Sequence, residues 1–119
     1  MGDCVREIRR AEFETEVLRY DGLVLVDFYS DNCQPCLMLA PTLEKFCAAR
    51  NGEVKTVKIN VTNCVDLARR YELMGVPSLL LFRGGAPLGS RTGLISRQEL
   101  DRWLDETLAG SDRNAPLNS

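Results

Sequence analysis

The sequence predicts an α/β fold, a mixed central sheet of about five strands flanked by about four helices. Three observations lead there. The heptapeptide LVLVDFY, residues 23–29, is a nearly continuous run of strand-forming residues, the pattern of a strand buried on both faces. Strand-like and helix-like segments alternate from the amino terminus to about residue 75, as crossover connections between parallel strands require. Finally, SLLLF and APLGSRT flank Gly84-Gly85, which reads as a hairpin that adds an antiparallel edge.

Composition bounds the rest. At 119 residues, with 45% hydrophobic and 27% charged residues, the chain suits one globular domain with a core of its own. A net charge of −2 without a basic block gives no footprint for nucleic acid. No apolar run approaches the ~20 residues of a membrane helix. MGDCVREIRR carries no apolar signal core, and Arg6 stands where a myristoylation motif needs Ser or Thr, so a cytoplasmic protein that avoids membranes is expected.

Taken in order, CVREI is a weakly marked opening strand. EFETEVLRY follows as a helix with Phe13, Val17 and Tyr20 on one side and Gly22 closing it. After the LVLVDFY strand, Cys33 to about Arg50 reads as a helix capped by Asp31 or Asn32, burying Leu39, Leu43, Phe46 and Cys47 and ending at Asn51-Gly52. EVKTVKINV is a strand. Asn63 caps a short helix, CVDLARRYELM, that stops at Gly75, and the hairpin comes next. Ser96 and Glu99 form a capping box for a last helix with the stripe Leu100, Trp103, Leu104 and Leu108. One domain over residues 1–110 is expected. The segment 111–119 is polar and turn-rich, and is expected to be a disordered tail.

The stretch DNCQPCLMLAP, residues 31–41, concentrates the chemistry. A Cys-x-x-Cys alone is weak, because five cysteines placed at random give that spacing about one time in six. Its place is informative. The pair follows a buried strand and opens a helix, with Pro35 in the first turn, where its missing N–H costs nothing. Unpaired N–H groups and the positive end of the helix dipole there stabilise an anion such as a thiolate. A free thiol near pKa ~8.5 is about 3% ionised at pH 7, whereas one lowered to ~7 is half ionised. Metal binding, electron exchange and simple packing are all open to such a pair. A closed metal site needs four ligands, and no second Cys-x-x-Cys or histidine is present to complete one. The absence of histidine also removes every mechanism built on a histidine base. Cys47 is read as a buried core thiol, and Cys4 and Cys64 as incidental.

VLVDFYSDNCQPCLMLAP, VKINV, GVPSLLLFRGG and TGLISRQELDRWLDETL together resemble the thioredoxin family, over residues 8 to 108. The resemblance implies the thioredoxin fold and a protein-disulfide reductase with no bound cofactor, fed by an NADPH-dependent flavoprotein reductase or a dedicated donor. It would act as a monomer on disulfide-containing proteins. Cys33 then matches the nucleophile and Cys36 the resolving cysteine. Asp27 matches the buried acid behind them, which accounts for a carboxylate inside LVLVDFY, where burial raises its pKa. Lys58 matches the lysine near that acid. Val76 and Pro77 match the cis-proline segment that presents backbone to an incoming peptide, Gly93 a glycine of the substrate groove, Gly85 a turn glycine, and Pro41 the proline of the active-site helix.

The departures lie at the rim. Tyr29 and Asn32 stand where the family has tryptophans, Gln34 replaces the glycine between the cysteines, and Leu37 replaces a lysine. Asn32 and Gln34 would therefore meet the substrate with a polar surface. A second reading keeps the fold without the chemistry, as a binding module that holds a partner in the groove at Pro77 and Gly93.

Overall fold

A computed structural model of the chain describes residues 4–117, with side chains described to residue 110. Five strands form one sheet: β1 (Arg6–Ile8), β2 (Leu23–Tyr29), β3 (Val54–Asn60), β4 (Ser78–Arg83) and β5 (Ala86–Thr92). Their spatial order is β1-β3-β2-β4-β5. β1, β3 and β2 run parallel, and β4 lies antiparallel to both β2 and β5. The expected mixed sheet is therefore present, with the LVLVDFY strand at its centre. Around it lie α1 (Gln34–Arg50), α2 (Val65–Arg70) and α3 (Arg97–Leu117).

The period-2 alternation of strand side chains sorts the core into two layers. On one face Leu25, Val54, Leu79 and Leu81 pack beneath Leu39, Leu43 and Phe46 of α1 and Leu100 and Leu104 of α3. On the other face Val24, Val26, Phe28, Val57, Ile59, Leu80 and Phe82 pack against Phe13, Val17 and Leu67. The apolar stripes expected for the active-site helix and the last helix are both buried, with Trp103 and Leu108 partly buried at the margin.

Several local expectations change. The segment read as a helix over residues 12–20 is a 3-10 turn, Arg10–Glu12, followed by a π-helical turn, Glu14–Leu18. Burial of Phe13 and Val17, rather than a regular helical repeat, fixes this segment. α1 is capped by Cys33 itself, not by Asp31 or Asn32, since Asn32 adopts a left-handed φ of 56° that turns the chain before the cap. α2 is capped at Cys64 rather than Asn63 and ends at Arg70, well short of Gly75. At α3 the Ser96 hydroxyl does accept the Glu99 N–H, at 3.1 Å, and the helix continues past the domain boundary expected at residue 110.

Gly85 is required at its turn. It has φ +83°, and a Cβ there would lie 2.8 Å from the Leu18 carbonyl oxygen.

Cys4 and Cys47 are joined in a disulfide, with Cα atoms 5.9 Å apart. This overturns the reading of Cys47 as a core thiol and Cys4 as incidental. Helical spacing places Cys47 on the apolar side of α1, but only the fold brings the amino-terminal segment over it. Cys64 is the free cysteine among the described residues, buried and directed at the Asn60 carbonyl.

Candidate active site

The cysteine pair sits where β2 ends and α1 begins, at the carboxyl end of the parallel strands, where the loops of an α/β sheet converge. Cys33 is the N-cap of α1, and its Sγ accepts the Cys36 N–H at 3.2 Å, one of the amides a helix start leaves unpaired. Cys33 is partly exposed, whereas Cys36, one turn in, is buried. The two form a disulfide. Gln34 opens α1 and is exposed, as is Pro35 in the same turn.

Behind the pair is a cavity of about 230 Å³, with Asp27, Tyr29, Asp31, Cys33, Cys36 and Lys58 among its lining residues. Asn32 also borders it. The alternation of β2 explains Asp27: it shares a face with Leu25, the face α1 covers. Asp27 is 4% exposed, and one carboxylate oxygen has no hydrogen-bond partner. Burial pushes its pKa up to about 7, and the positive charge of Lys58 pulls in the opposite direction. Lys58 faces it directly across the β2–β3 ladder, with its ammonium 5.8 Å from the centre of the Tyr29 ring. The Tyr29 hydroxyl donates to Glu7 on β1, and burial together with that carboxylate raises the pKa of the phenol.

The loop entering Cys33 is tied to the loop after β3. The Asp31 N–H donates to the Thr62 hydroxyl at 2.9 Å, and the Asn60 side-chain amide donates to the Asp31 carboxylate at 2.8 Å. The Thr62 N–H returns to the Asn60 side-chain oxygen at 2.9 Å. Asn60, the last residue of β3, and Thr62 just beyond it carry no distinct sequence signal, because short polar residues at a strand end look like ordinary turn formers. Tyr29 was legible in part, since it falls on the Asp27 side of β2.

The Val76–Pro77 peptide bond is cis. Gly93 donates its N–H to the Pro77 carbonyl at 2.8 Å and has φ +99°, in the left-handed region, with open space where a Cβ would stand. Val76, Pro77 and Gly93 thus form one unit, outside the lining of the cavity behind the cysteines. Exposed apolar residues flank it in the chain, Met74 before Val76 and Leu94 after Gly93. Among the described residues, no group of three or more Cys, Asp or Glu side chains is arranged to hold a metal ion.

The family model for thioredoxin matches residues 4–106. The chain belongs to the thioredoxin family. It is 33% identical over 108 residues to a thioredoxin of Pseudomonas aeruginosa, covering 91% of this chain and all of that one. A thioredoxin of Buchnera aphidicola subsp. Schizaphis graminum is 38% identical over 102 residues, 86% of this chain and 94% of its own length. Thioredoxin C-2 of Corynebacterium nephridii is 36% identical over 96 residues, 81% of this chain and 89% of its own. As a thioredoxin-family protein, the chain is a thiol–disulfide oxidoreductase, a protein-disulfide reductase whose redox-active group is the Cys33–Cys36 pair and which uses no cofactor. No helix among the described residues is long and apolar enough to cross a membrane.

Proposed function

We propose that Cys33 attacks the disulfide of a protein substrate and that Cys36 resolves the mixed disulfide that results. The observation carrying this assignment is Cys33 at the N-cap, with its Sγ already accepting an amide of the first turn. In the reduced pair that amide and the helix dipole stabilise the Cys33 thiolate. The half-exposed sulfur meets the substrate, and the buried one waits one turn behind. Asp27 accepts the Cys36 proton through the cavity, because a carboxyl with a pKa of about 7 holds or releases a proton near neutrality. Lys58 opposes the burial penalty and keeps that value from rising further.

The substrate lies across Val76, Pro77 and Gly93 and pairs with exposed backbone as an added strand. Asn32 and Gln34 contribute a polar rim, and Met74 and Leu94 apolar contacts. Electrons come from an NADPH-dependent flavoprotein reductase or a dedicated donor. We place the reaction in the cytoplasm, since a reductant must be resupplied with electrons. The protein acts as a monomer, as both faces of its sheet are covered by its own helices. The working domain is residues 1–110, supported by a family match that ends at residue 106.

The deciding measurement is the Cys33–Cys36 reduction potential, from equilibration in graded thiol–disulfide buffers with the bridge assigned by mass spectrometry. A couple more reducing than cytosolic glutathione is expected. A markedly more oxidising couple overturns the reductase direction, and failure to form the bridge at any poise overturns the chemistry.

A further inference from the structure

The Cys4–Cys47 disulfide lies at the end of α1 remote from the active pair. Cys36 and Cys47 are eleven residues apart on one helix, about 16 Å at 1.5 Å per residue. The two disulfides therefore cannot exchange with one another inside one molecule. Cys47 is buried, and Cys4 is partly exposed. Both line a cavity of about 460 Å³ at the amino-terminal ends of β2 and β3, bordered by Leu23, Asn51 and Val54. That volume is in the range of sites for small molecules, whereas a folded protein could not enter it. Its lining holds two cations, Arg6 and Lys55, and two carboxylates, Asp21 and Glu53, so the charges of the lining side chains balance.

Around the disulfide one carboxylate ties down the backbone of the amino-terminal segment. The Glu44 carboxylate accepts the Cys4 N–H at 3.0 Å and the Val5 N–H at 3.1 Å. β1, which follows, is three residues long and pairs only with β3. The bond thus fastens an edge strand to the helix that carries the active site.

We propose that Cys4–Cys47 is a second thiol–disulfide exchange site, which a small thiol opens at Cys4, the partly exposed member of the pair. A thiolate of the small thiol entering from the cavity bonds to Cys4 Sγ, the Cys4–Cys47 bond breaks, and Cys47 leaves as a thiolate that takes a proton from water. A second thiol then attacks the sulfur of the first. It expels Cys4 as a thiolate, which is protonated in turn, and carries the two electrons' worth of oxidation away as a small-molecule disulfide. The neutral balance of the cavity means that uncharged dithiothreitol and anionic glutathione both serve. When closed, the bond spans a sequence separation of 43 residues, and opening it shifts the folding equilibrium by up to roughly a thousandfold toward the unfolded chain on a loop-closure account.

The site is isolated in a chain carrying both Cys33→Ser and Cys36→Ser, where Cys4–Cys47 is the disulfide that remains. Differential alkylation and mass spectrometry, under native conditions across graded dithiothreitol and glutathione buffers, should show a reversible two-electron step. In it Cys4 and Cys47 become reactive together, and hydrogen exchange at the Ile8 amide rises on the order of tenfold or more. Adding Cys47→Ser should remove the step. Cys4 and Cys47 found as thiols at every poise, or a bridge that opens only in denaturant, overturns the proposal. Neither result touches Cys33 and Cys36, whose potential is measured on the unsubstituted chain.

Discussion

Replacing Asp27 by asparagine should change the pH dependence of stability in a way no other carboxylate can imitate. Asp27 is 4% exposed, has one oxygen without a partner, and has its pKa raised from 3.8 to about 7 by burial. Because the folded value lies above the unfolded one, the native state binds the proton more tightly between them, and stability falls as pH rises from about 4 to about 7. Below that window both states are protonated and the penalty is absent; above it the penalty is fully present and constant. At 1.36 kcal/mol per unit of pKa, a shift of this size corresponds to about 4 kcal/mol. Asparagine does not titrate. An amide in the pocket carries its own cost, but that cost is the same at every pH. The stability of the variant minus that of the wild type should therefore rise by about 4 kcal/mol between pH 4 and pH 8. Urea unfolding of both oxidised proteins across that range measures it, and all other titrating groups cancel in the difference. A difference that stays flat with pH would show that Asp27 titrates normally in the folded protein, refuting both the burial argument and its role as proton acceptor.

Further outcomes follow from the same geometry. Cys33→Ser should abolish disulfide reduction, whereas Cys36→Ser should accumulate a mixed disulfide between Cys33 and the substrate, detectable as a mass adduct that dithiothreitol removes. Gly85→Ala should destabilise the protein by about 1–3 kcal/mol in thermal or urea unfolding, because the new Cβ meets the Leu18 carbonyl in a left-handed backbone. Gly52→Ala, also left-handed but in open space, should cost about 1 kcal/mol. Phe46→Ala, on the buried face of α1, should cost about 3–5 kcal/mol. Arg50 joins the end of α1 to Asp101 and Asp105 of α3 and to Glu53. Arg50→Ala should lose roughly 1 kcal/mol that shrinks as salt is added.

The parts of the site legible in the sequence are those where local chemistry contradicts its surroundings. An aspartate in the apolar run LVLVDFY is anomalous whatever the fold, and so is a cysteine pair with a proline at a helix mouth. Cys33 and Cys36 stand out that way, and the family resemblance gives the anomalous Asp27 its role as the buried acid. Lys58 carries no local signal of its own: the family resemblance sets it near the acid, and the register of β3 beside β2 puts it opposite Asp27. Asn60 and Thr62 carry no signal of their own, since holding Asp31 depends on a neighbouring loop 29 residues away. The segment containing Phe13 and Val17 kept its apolar spacing but not a regular helix, because packing against the sheet sets its turns.

The sequence by itself determined the strand and helix alternation, the buried faces of α1 and α3, the hairpin at Gly84-Gly85 and the redox pair, because each depends on residues within a turn or two of one another. Only the tertiary structure decided the strand order, the antiparallel seat of β4 beside β2, the cap role of Cys33 and the bond between Cys4 and Cys47. Pairing between strands, and between cysteines 43 residues apart, is fixed by which surfaces can be buried together. That is a property of the assembled layers, and no local pattern of residues encodes it.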